Sequence, residues 1–123
     1  MLDAGAFIAL DRNDRSIWAR FAIAHRKGQE IVTHAGIVGQ IWRRPERQAR
    51  LAQAIKAVDV RSLTIELAQR AGLLLAATGT KDVHDAALAL VCEPNDVVLT
   101  TDIDDLAALL AQRRMFSVGL LRV

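Results

Sequence analysis

Linkers rich in glycine or proline, internal repeats and low-complexity tracts are all missing from this chain. Its two prolines lie far apart, and its 123 residues fit one compact domain. Only one cysteine occurs, Cys92 in "DAALALVC", so no internal disulfide can form, and the apolar neighbours favour a buried, inert thiol. Such cysteine usage favours a reducing cytosol. No apolar run approaches the ~20 residues needed to span a bilayer, and no basic segment leads into an apolar one at the start. The expectation is a cytoplasmic protein that does not enter a membrane.

Several chemistries are also excluded by what is lacking. "AGIVGQ" has neither the Lys nor the Ser or Thr of a phosphate-binding loop. His25, His34 and His84 have no zinc-ligand spacing with Cys92, and no helix-turn-helix pattern is evident. A phosphoacceptor receiver would want paired acids after its first strand and a Lys near its end, but "MLDAG" offers one acid and the last Lys is Lys81. An Asp-nucleophile phosphatase would want a second Asp where Gly5 stands.

Apolar residues make up 52% of the chain and charged ones 24%, which excludes a disordered chain. The net charge of +2 hides a segregation. Arg43, Arg44, Arg47 and Arg50 crowd "RRPERQAR", whereas Asp82, Asp85, Asp102, Asp104 and Asp105 fall later. A basic surface beside an acidic pocket suits a polyanion and a cation.

Short runs rich in Val and Ile alternate with segments of helical period, which predicts an α/β fold with a mainly parallel sheet. "MLD", "EIVTH", "VDVRS", "VVLTT" and "FSVGLLRV" are the expected strands. Helices are expected over 14–27, in "AGIVGQIWRR", in "PERQARLAQAIKA" from Pro45, over 64–78 with Gly79 as the stop, over 82–92 and over 102–113. Only two residues precede Asp3, few for a strand, and a longer natural chain would supply more.

The aspartates then acquire positions. Asp3 follows the first strand, Asp102 follows "VVLTT", and Asp82 and Asp85 open a helix. Ligands of open α/β sheets bind outside the carboxyl ends of the strands. "DVHD" and "DIDD" also fit helix caps, with Asp105 as the cap partner of Asp102. A carboxylate among the apolar residues of "MLDAGAFIAL" needs hydrogen bonds, a cation or a raised pKa, and caps account for each Asp separately but not for their recurrence at strand ends. A divalent cation would satisfy all of them, and carboxylate oxygens suit Mg²⁺ or Mn²⁺.

"LDAGAFIAL", "GQIWR", "DVHDAALAL" and "VVLTTDIDDL", in that order, resemble a PIN-domain ribonuclease of the VapC toxin type, over essentially the whole chain. The resemblance implies a single PIN-like domain over 1–123, built as a three-layer α/β/α sandwich. It implies a metal-dependent endoribonuclease, the toxin of a toxin–antitoxin pair, that hydrolyses RNA with water activated by Mg²⁺ or Mn²⁺. Its implied partners are an RNA substrate, a cognate antitoxin and a second copy of the chain in a homodimer. Asp3, Asp85 and Asp102 match the family's catalytic, metal-binding acids. Asp82, one turn before Asp85, is then a cap or an outer group. Thr100 and Thr101 stand where the family has a small hydroxyl residue that orients a carboxylate or phosphate, and Asp105 is a water-mediated ligand. The usual Glu is replaced by Gln40, which removes one negative charge and lowers the expected metal affinity. Arg43, one turn on, is placed to meet an RNA phosphate or a site carboxylate. Gln40 supports the alternative of a weakened or inactive PIN-like domain that binds RNA or an antitoxin without cleavage.

Overall fold

The structure, a computed structural model, describes residues 1–123. It is α/β, with helices α1 (Ala4–Asp11), α2 (Arg15–Arg26), α3 (Ala35–Ile41), α4 (Ala49–Lys56), α5 (Ile65–Thr78), α6 (Val83–Val91) and α7 (Ile103–Gln112). The strands are β1 (Val32–His34), β2 (Asp59–Arg61), β3 (Val97–Thr100) and β4 (Gly119–Arg122).

Every strand pair is parallel, β1 with β2 and β3 with β4, in two sheets of two strands each. Leu2 links the pairs: it forms a parallel bridge with Leu99, and its N–H donates to the Val32 carbonyl at 3.0 Å. The expected first strand is therefore reduced to a single bridging residue.

The helices divide between two cores. Phe7, Leu10, Ile17, Phe21, Ile37 and Leu51 gather α1 to α4 in one, whereas Ala71, Leu88, Val98, Leu106 and Leu109 join α5 to α7 with β3 in the other. Cys92 is buried in the second core, and burial pushes its thiol up to about 11, so it stays protonated and inert. No helix is long and apolar enough to cross a membrane.

Two local features differ from expectation. Helix α1 occupies "AGAFIALD", where the sequence shows no amphipathic period; it buries Ala6, Phe7 and Leu10 in the core while leaving the apolar Ile8 exposed. The helix expected from Pro45 is instead a 3-10 turn over Pro45–Arg47 followed by α4. The break centres on buried Gln48, whose Oε1 accepts the Arg43 and Arg44 N–H groups and whose amide donates to the Ile41 carbonyl. One side chain thus satisfies backbone groups that the end of α3 leaves open. Thr64 Oγ1 caps α5 through the Leu67 N–H, and Gly79 ends it at φ 72°, as its composition predicts.

Candidate metal centre

Of the polar side chains that the fold buries, Asp3, Thr33, His34 and Thr100 lie at or near the carboxyl ends of the strand segments, and Asp85 lies in the first turn of α6. Asp3 leaves the Leu2 bridge and becomes the N-cap of α1: Oδ1 accepts the Ala6 N–H at 2.9 Å and Oδ2 the Thr101 N–H at 3.2 Å. Only 3% of Asp3 is exposed, so these two amides supply the partners that a buried carboxylate requires. The loop after β3 reaches Asp3 because residue 5 is glycine: a Cβ there would stand 2.5 Å from Thr101 Cγ2. Buried Thr100 orders the same loop, its Oγ1 accepting the Asp102 N–H at 2.8 Å.

Helix α6 brings the second group. Asp82 is its N-cap, with Oδ1 accepting the N–H groups of His84 at 2.8 Å and Asp85 at 3.3 Å. Asp85 lies in the first turn and is 5% exposed. Its carboxyl is pushed up to about 8, first by burial, then by the charges of Asp82, Asp102 and Asp3. The helix N-terminus favours the anion by only ~0.3–1 kcal/mol, and desolvation among like charges outweighs it.

Helix α7 brings the third. Asp102 occupies the N-cap position with φ −117° and ψ 57° but makes no side-chain cap bond, so the capping expected of "DIDD" is absent while that of "DVHD" is present. Asp105 is half-buried in the same first turn. Instead of pairing as a cap, Asp102 and Asp105 join Asp85 in a cluster whose ligand oxygens all lie within 4.8 Å of one another. Asp85 Oδ2 is buried in this cluster without any hydrogen-bond partner. Three converging carboxylates and one orphaned, buried oxygen are a donor set that fits a hard divalent cation.

The other sequence-predicted residues fall around this centre or away from it. Asp3 and Asp82 press on Asp85 electrostatically, while their oxygens are held by backbone amides. Thr101 is exposed and reaches Asp3 through its backbone N–H. Gln40 is half-buried near the end of α3. Arg43 donates to the Gly39 carbonyl at 2.7 Å and the Trp42 carbonyl at 2.9 Å, so its guanidinium closes the end of α3.

Two residues that sequence reasoning overlooked border the site. Arg122, at the carboxyl end of β4, donates to the Thr101 carbonyl at 3.2 Å and sets an exposed cation beside the Asp102 loop. The strand-end rule that located Asp102 also applies to "GLLRV" and would have found it. His34, fully buried at the end of β1, accepts the Gly36 N–H on Nδ1, so its Nε2 carries the proton given to the His84 carbonyl at 2.8 Å. Burial lowers its pKa and keeps the imidazole neutral. Its ring stacks on that of His84 with centroids 5.8 Å apart, and Gly36 leaves room for the pair because a Cβ there would collide with His84 Nδ1. The histidines tie β1 and α3 to the turn that presents Asp85.

Compared with protein-family models, curated proteins and solved structures, the chain matches none.

Proposed function

We propose that this chain is a metal-dependent endoribonuclease of the PIN type, the toxin of a toxin–antitoxin pair, with its two cores forming the outer layers of an α/β/α sandwich. The observation that carries the reading is the partnerless Asp85 Oδ2 inside the Asp85–Asp102–Asp105 cluster. An uncharged pocket would bury such an oxygen only with a hydrogen bond, because an unmet one costs ~1–3 kcal/mol.

Asp85, Asp102 and Asp105 are the residues that would hold Mg²⁺ or Mn²⁺. When bound, the cation supplies Lewis acidity, activating water and stabilising the charge that builds on a phosphodiester undergoing hydrolysis. Asp3, anchored by the Ala6 and Thr101 amides, adds negative potential and fixes the loop that carries Asp102. Asp82 holds the first turn of α6 in register, and its negative charge raises the pKa of Asp85, so that a cation must displace the proton there. Arg122 offers an RNA phosphate a cationic contact beside the acids. Exposed Arg44, Arg47 and Arg50 extend the basic surface that a polyanion requires. Exposed Ile65, Leu73 and Phe116 are apolar faces suited to a second copy or an antitoxin.

A second reading, an RNA- or antitoxin-binding domain without cleavage, is favoured by Gln40, whose amide adds no charge to the acids. Cleavage of a structured RNA in Mn²⁺ separates the two readings. The nuclease reading expects cutting that Asp102→Asn abolishes and Gln40→Glu accelerates. Wild type and Gln40→Glu both inert, with the fold intact, would establish the binding domain instead.

A further inference from the structure

The protein's two tryptophans stand in different surroundings. Trp18 donates its indole N–H to the Leu10 carbonyl at 2.9 Å and meets Phe21 edge to face against the first core. Trp42 caps the end of α3, is 38% exposed, and gives its indole N–H to no group of the fold. A buried tryptophan usually finds a partner for that N–H, and an exposed one keeps both the ring face and the donor for a ligand.

Cations surround Trp42. Residues 43–50 carry Arg43, Arg44, Arg47 and Arg50 against the single acid Glu46, and all five are exposed. Both ion pairs of the structure belong to Arg61, so no carboxylate of the protein pairs with these arginines. The segment is also held in place. Gln48 bonds the Arg43 and Arg44 N–H groups and the Ile41 carbonyl, Pro45 opens the 3-10 turn, and the Arg43 guanidinium donates to the Gly39 and Trp42 carbonyls. Bonds on both sides of Trp42 fix its backbone before any ligand arrives, which lowers the cost of binding one.

We propose that Trp42 is a stacking platform for an unpaired base of RNA, with Arg44 and Arg47 holding the phosphates beside it. The proposal rests on the reading of this chain as an RNA-acting protein and narrows its substrate to single strands and loops, since only an unstacked base offers its face to an indole. A ring among unpaired cations matches a strand that alternates base and phosphate. An acidic peptide would meet the charges and leave the indole face bare. The first turn of α3 lies against the turn that presents Asp85, where Gly36 faces His84, and Trp42 follows Gly36 by roughly 9 Å along the helix. A strand with a phosphodiester at the acids therefore has a short way to run to the indole.

The test is equilibrium binding, in EDTA, of a single-stranded oligouridylate, an RNA duplex of equal length and polyglutamate. Trp42→Ala is expected to weaken binding of the single strand about tenfold, Trp42→Phe to keep it within about threefold, and both to bind the duplex as the wild type does. Saturating oligouridylate is expected to quench the indole fluorescence that Trp42→Phe removes. Arg44→Ala combined with Arg47→Ala is expected to weaken single strand and duplex alike and to lower the salt dependence by about two counterions. No binding of the single strand by the wild type, or unchanged binding by Trp42→Ala, overturns the proposal, as does an equal loss on the duplex. Absence of quenching at saturation overturns it even where Trp42→Ala fails to fold. Polyglutamate that binds as tightly as RNA and is lost with Trp42→Ala would assign the face to an acidic protein instead. Because nothing is cut in EDTA, the nuclease reading is judged separately. RNA held by Trp42 yet uncut in Mn²⁺ keeps the platform and removes the nuclease, whereas cutting in Mn²⁺ with no effect of Trp42 on binding keeps the nuclease and removes the platform.

Discussion

Thr101 donates its backbone N–H to Asp3 Oδ2 at 3.2 Å, joining residues 98 positions apart. This bond, with the one from Ala6 to Oδ1, makes Asp3 a clasp between the start of α1 and the loop that carries Asp102. Gly5 permits the approach.

Gly5→Ala is therefore expected to destabilise the fold by ~1–3 kcal/mol, because the new methyl must displace Thr101 in a packed region. Chemical denaturation checks it. Pairing the change with Thr101→Ser, which removes Cγ2, should recover part of the loss; no recovery would show that the strain lies elsewhere.

The buried Asp85 gives stability a pH dependence. Its folded-state pKa, about 8, is above the ordinary 3.8, so the neutral carboxyl is the form the fold prefers. Its contribution is fully present below about 3.8, falls as pH rises and levels off above about 8. The metal-free protein should lose stability over that window relative to Asp85→Asn, whose neutral amide does not titrate. Each pKa unit is worth ~1.4 kcal/mol, so the difference between the two denaturation curves should reach a few kcal/mol. A pH-independent difference would contradict the placement of Asp85.

Arg122→Ala is expected to weaken RNA binding severalfold while leaving Mn²⁺ affinity within about twofold, since its guanidinium meets the Thr101 carbonyl and no carboxylate of the cluster. The salt dependence of binding should fall by about one counterion. Equal loss of metal and RNA affinity would instead assign Arg122 to the support of the acidic loop.

Much of this arrangement was legible in the letters. The strands β1 to β4 lie inside the apolar runs that predicted them, and parallel pairing follows from the alternation of strand and helix. Asp3 and Asp102 were read at strand ends and Asp85 at the opening of a helix, and the structure puts Asp85 in the first turn of α6 within reach of both charges. Helix α1 was hidden because its apolar residues show no stripe, and the break before α4 because it depends on what buried Gln48 touches across the turn. "DIDD" and "DVHD" read alike as caps. They part at Asp102, which makes no cap bond to its own helix and whose carboxylate instead joins Asp85 and Asp105.

The most direct test of the account is calorimetric titration of Mn²⁺ into the wild-type protein and Asp85→Asn at pH 7, in two buffers of different ionisation enthalpy. The account predicts saturable binding by the wild type with release of close to one proton, because Asp85 is largely protonated below about 8 and must ionise to coordinate. It also predicts at least tenfold weaker binding by the variant. Absence of binding in the wild type, or equal affinity with no proton released, would contradict it.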